Sequence, residues 1–138
     1  MKRIDISTDD QKRLKSTDVR IVYLFGSYAE RTEHNLSDID IGIVFNDIKI
    51  VENNTNSVYQ NLYDLFTEYF KNKRLDIVFL QRADLELCFD VIRHGQVIYE
   101  DSVENRLNFE ESVFQKYLDF KPILNQFDRA VLERSAND

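Results

Sequence analysis

The chain has 138 residues, 43% hydrophobic and 31% charged, a balance that suits one globular core and is too apolar for a disordered chain. Its 18 basic and 25 acidic residues leave a net charge of −7, which argues against the broad basic face that direct nucleic-acid binding requires. No apolar run of about 18 residues and no charged-then-apolar leader occurs, so neither a membrane span nor a secretory signal is expected.

Thr8-Asp9-Asp10-Gln11 has the form of a capping box and predicts a short helix to about Leu14. Val19 to Phe25 is a nearly continuous apolar run, the pattern of a strand covered on both faces, and it ends in Gly26-Ser27. Asp38 to Phe45 alternates: Ile39, Ile41, Ile43 and Phe45 fall on one face, Asp38, Asp40, Gly42 and Val44 on the other. A polar loop over residues 46–56 follows. Val58, Leu62, Leu65, Phe66, Tyr69 and Phe70 then keep the spacing of an amphipathic helix.

Leu75 to Leu80 reads as a third strand, Asp84 to Arg93 as a helix closed by His94-Gly95, and Gln96 to Tyr99 as a short edge strand. Cys88 reads as core; as the single cysteine it can form no internal disulfide, and a cytoplasmic location is the default. Residues 101–134 predict a mostly helical tail, in which Pro122 either kinks one helix or opens a second. The tail positions Leu107, Phe114, Leu118, Leu124, Phe127 and Val131 are expected to pack on this domain, a partner or a second copy of the chain being the alternative. The fold class is α/β (α+β): a small mixed sheet with flanking helices and a helical tail. One domain over residues 1–138 is expected, with its core over about 17–100 and the tail over about 101–135.

The link between the first two strands, residues 27–37, is marginal for a parallel crossover, which needs about a dozen residues or more. An antiparallel or mixed arrangement keeps Gly26-Ser27 and Asp38-Ile39-Asp40 at one end of the sheet. The longer link before Leu75 allows a helical crossover and a parallel third strand, which brings Asp76 to that same end. Three carboxylates then converge, and such a cluster is tolerated when a cation neutralises it. Oxygen-only ligands select a hard divalent ion, Mg²⁺ first and Mn²⁺ second. Asp38 and Asp40 suit that role, while Asp76 joins a second metal or takes a proton from an attacking hydroxyl. Gly26 allows close approach to the backbone, and Ser27 opens a short helix whose free N–H groups suit a phosphate. Ser27-Tyr28-Ala29-Glu30 is also a capping box, so Ser27 has a purely structural alternative.

Gly26-Ser27, ten residues, then Asp38-x-Asp40 resembles the nucleotidyltransferase signature of the DNA polymerase β superfamily, with the third family carboxylate at Asp76 in LDIVFL. The small size resembles the minimal nucleotidyltransferases. IRHGQVIYED and FEESVFQKYLDFKPILNQFDRAVLER are similar to the antitoxin branch, encoded beside a HEPN-domain toxin. The resemblance implies that Gly26 and Ser27 hold the nucleotide, that Asp38, Asp40 and Asp76 are the catalytic and metal-binding triad, and that ATP is the substrate. It further implies that AMP passes to a tyrosine hydroxyl of the toxin partner and silences it. Glu30-Arg31 departs from the Arg-Gly of many relatives. Two rival readings are a non-catalytic antitoxin that occludes its toxin, and a small-molecule nucleotidyltransferase of the aminoglycoside-modifying kind. The tail is also a possible route to a homo-oligomer.

Overall fold

The computed structural model describes residues 4–26 and 38–137. Four strands, β1 (Val19–Phe25), β2 (Ile39–Phe45), β3 (Leu75–Phe79) and β4 (Gln96–Glu100), form one mixed sheet in the order β3-β2-β1-β4. β1 runs antiparallel to both β2 and β4, whereas β2 and β3 are parallel. The helix between β2 and β3 makes that parallel pairing possible, because a parallel neighbour needs a crossover. It is α2 (Thr55–Thr67).

Both faces of the sheet are covered. Ile39, Ile41, Ile43 and Phe45 of β2 pack with Leu14 of α1 (Thr8–Ser16) and with Leu62, Leu65 and Phe66 of α2. Each such side chain contributes about 1.5–3 kcal/mol on burial. The opposite face carries Ile21, Tyr23, Phe25 and Val44, which meet Cys88 and Val91 of α3 (Leu85–His94) and Val113 of α4 (Val103–Asn137). Val19 packs on the first face and Ile21 on the second, because a register irregularity between them interrupts the alternation of β1.

Three elements differ in detail from the sequence pattern. The first helix is capped by Ser7, whose Oγ accepts from the Asp10 N–H, and not by Thr8. The second helix stops at Thr67; Tyr69 and Phe70 lie in the turn beyond it, where Asn72 takes φ +65°. Leu80 leaves β3 for a 3₁₀ turn, Leu80–Arg82. There Gln81 donates from Nε2 to the Phe45 carbonyl and accepts from the Phe45 N–H, sealing the end of β2.

The tail is one helix through Pro122, although proline withholds one N–H from the ladder. Its first turns are pinned to the sheet. The Tyr23 hydroxyl donates to Glu110 at 2.9 Å, and Arg106 bridges Glu100 and Glu110. Burial, then the Glu110 carboxylate, push the Tyr23 phenol far above its ordinary range. The expected packing stripe is met only in part. Val113 and Phe109 make the main contact, Tyr117 and Phe114 stack on Phe89 at 3.7 and 6.1 Å, and Leu107, Leu118 and much of Phe114 are exposed. The reason is helical phase: Val113 faces the sheet, and Leu107 and Phe114 lie about 100° away from it. The side chains of Leu124, Phe127 and Val131 lie outside those described.

Candidate active site

β1 ends and β2 begins at the same edge of the molecule, with Phe25 opposite Asp40. β3 starts there too, and its Asp76 is in register with Asp40. Partners in adjacent strands project to the same face, so Asp40 and Asp76 share one; Asp38, two residues before Asp40, falls on it as well. The face is the one that Val44 continues toward α3 and α4.

Asp40 is partly buried, whereas Asp38 and Asp76 are exposed. Burial, and then the negative charges of Asp76 and Asp38, hold the Asp40 carboxyl above the ordinary carboxylate range. Asp40 therefore feels both of the other carboxylates. Among the described residues, however, no three acidic, histidine or cysteine side chains are gathered closely enough to hold a cation as they stand. The expected convergence is narrowed to a shared face and a shared end of the sheet, short of a closed cage. Unpaired carboxylates repel, and the exposure of Asp38 and Asp76 to water relieves that repulsion. As a donor set, three aspartates are all oxygen, which fits Mg²⁺ or Mn²⁺ and no softer ion.

Gly26 has φ +75°, a conformation that disfavours any residue with a Cβ. A Cβ there would collide with Asp40 Oδ2. The open side of Gly26 is thus filled by a carboxylate of this chain, where the sequence reading had reserved the space for a substrate group. Ser27, Tyr28, Glu30, Arg31 and His34 lie outside the described residues. Arg93 and His94 are engaged on their own helix, the guanidinium over the Phe89 ring at 5.5 Å and His94 Nε2 at 4.0 Å from Asp90. Cys88 is buried, its thiol donating to the Leu80 carbonyl.

One group escaped the sequence reading. Lys71-Asn72-Lys73-Arg74 runs directly into β3, and the Arg74 carbonyl accepts from the Ile39 N–H at 2.8 Å. This bond extends the β2–β3 ladder by one residue and sets Arg74 beside Asp38. The signal was present in the sequence as three cations in four residues, directly before the strand that carries Asp76.

Among the described residues no helix is long and apolar enough to cross a membrane. Residues 11–104 match the family described as polymerase beta, nucleotidyltransferase. No curated protein matches the chain in sequence. Solved structures do share its fold. A toxin–antitoxin complex with AMP-PNP contains a chain of 23% identity and TM-score 0.69, the match covering 91% of this chain and 99% of that one. The toxin–antitoxin pair MntA–HepT contains one of 18% identity and TM-score 0.63, covering 91% and 99%. A third match comes from a complex of MNT antitoxin with tri-AMPylated HEPN toxin of Shewanella oneidensis. It has 19% identity and TM-score 0.63, covering 89% of this chain and 96% of that one.

Proposed function

The chain belongs to the polymerase β nucleotidyltransferase family, and from that premise we propose that it transfers AMP from ATP to a tyrosine hydroxyl of a cognate HEPN-domain toxin and thereby neutralises it. The reading rests on one observation above others: the register that sets Asp40 beside Asp76, with Asp38 two residues away and Gly26 against Asp40. The complexes that contain an ATP analogue and an AMPylated toxin support the choice of nucleotide and partner. The tri-AMPylated toxin further makes repeated transfer the expected pattern here. The whole chain acts as one domain, in the cytoplasm.

Asp38 and Asp40 would hold Mg²⁺ (Mn²⁺ as a substitute), and Asp76 completes the carboxylate triad. The ion supplies neutralisation of phosphate charge when bound. Gly26 and Ser27 would hold the triphosphate. The tyrosine oxygen attacks the α-phosphorus, the bond to the β-phosphate oxygen breaks, and pyrophosphate leaves. Asp76 accepts the tyrosine proton. The rest of the barrier is lowered by positioning, since the β2–β3 ladder fixes the backbone of Asp40 and Asp76 before substrate arrives.

A second reading, neutralisation by occlusion, is favoured by one feature: Val103, Leu107, Phe114, Leu118, Phe120 and Ile123 of α4 are large apolar side chains exposed to water. One experiment separates the two. With ATP labelled in the α-phosphate, the wild type should label the HEPN partner, and Asp40→Asn should lose at least ~100-fold of that rate. A variant that fails to label and yet fully silences the partner supports occlusion. A variant that labels at the wild-type rate overturns the catalytic assignment.

A further inference from the structure

Resting on the reading above, we infer that Lys71 and Arg74 form an acceptor-side phosphate site, which holds the phosphodiester of an acceptor that already carries one AMP. The sheet order carries the argument. β2 lies between β1 and β3, and β3 is an edge strand. Gly26 flanks the carboxylates from the β1 side, so an incoming triphosphate oriented there leaves the β3 side for the acceptor. Arg74 stands directly before β3 on that side, Lys71 lies three residues earlier in the turn that leads into it, and both are exposed. The ladder bond from Ile39 to Arg74 continues the parallel register, so Arg74 shares the face of Asp38, Asp40 and Asp76.

Charge then selects the ligand. A neutral tyrosine hydroxyl gains nothing from two cations, and an acidic cluster beside it does not repel it. A phosphodiester carries a fixed negative charge that the incoming triphosphate opposes, and a cation outside the metal site offsets it. Arginine suits it through paired N–H donors, and lysine as a point charge. An RNA footprint is the poorer fit, because a short basic run on a chain of net charge −7 neutralises too few phosphates for sequence-independent binding. In the second transfer a ribose hydroxyl of the attached AMP attacks the α-phosphorus of a new ATP. Its proton passes to Asp76, pyrophosphate leaves, and the acceptor grows by one AMP.

The test follows the mass of the intact HEPN partner over time, with ATP and Mg²⁺, for the wild type and for Lys71→Ala/Arg74→Ala. The first AMP should be added by both within twofold, at the same half-saturating ATP. Later additions should slow at least tenfold in the variant, and Lys71→Arg/Arg74→Lys should restore them. An unchanged ladder overturns the proposal, as does a wild type that stops at one AMP. Equal loss of the first addition and of ATP affinity assigns the run to the incoming nucleotide and overturns it too. Lost binding of a single-stranded RNA probe with an unchanged ladder assigns it to RNA. A partner that gains no AMP from the wild type sinks the functional reading itself, and this proposal with it.

Discussion

Gly26 and Asp40 divide one small volume between them: the carboxylate occupies the place where any other residue would carry its Cβ. Two separate penalties should therefore appear in Gly26→Ala. The left-handed backbone costs roughly 1–2 kcal/mol, and the collision with Asp40 adds to it. In an Asp40→Ala background the collision is gone and only the backbone cost remains. A double-mutant cycle of thermal unfolding should show that difference as a coupling of at least ~0.5 kcal/mol; strict additivity contradicts the shared-space account. The aspartates themselves were legible in the sequence, because strand alternation places every second residue on one face. Their contact with Gly26 was not, since it depends on how an antiparallel neighbour brings its turn across the strand.

At the scale of elements, α1 shows why a local motif settles less than it promises. Thr8-Asp9-Asp10-Gln11 spells a capping box, yet Ser7 takes the cap. The deciding partner is distant: the Tyr69 hydroxyl accepts from the Ser7 N–H and donates to Asp10 Oδ2 at 2.5 Å. That hydrogen bond, with lesser help from Ser7 and Arg13, holds the Asp10 carboxyl below its ordinary range. A lowered folded value means that the stability Asp10 contributes is present above the unfolded value, about 3.9, and is lost as pH falls through the lower folded one. Asp10→Asn should thus lower Tm by a few degrees at neutral pH and by nothing once wild-type Asp10 is itself protonated. A Tm difference that persists in strong acid contradicts this. The same limit applies to α4, whose apolar stripe was visible from sequence while its contact phase was set by Tyr23, Glu110 and Arg106.

Across the whole molecule, topology gathers the chemistry. An antiparallel β1–β2 pair and a parallel β2–β3 pair bring one glycine turn, three aspartates and one basic run to a single end of the sheet. Hydrophobic patterning disclosed the fold class, and link lengths pointed to the two strand directions. The basic run stood in the sequence without its role being legible, because charge in a loop reads as solvation until the ladder places it beside a carboxylate. The acidic balance of the chain, net −7, confines any phosphate site on it to a local cluster of cations.

The central claim is that these aspartates move AMP onto a protein. The direct measurement is the intact mass of the HEPN partner after incubation with ATP and Mg²⁺, once with the wild-type chain and once with Asp38→Asn/Asp40→Asn. The account predicts a gain of one or more AMP masses with the wild type and none with the variant. An unmodified partner in both reactions, or an equal gain in both, would contradict it.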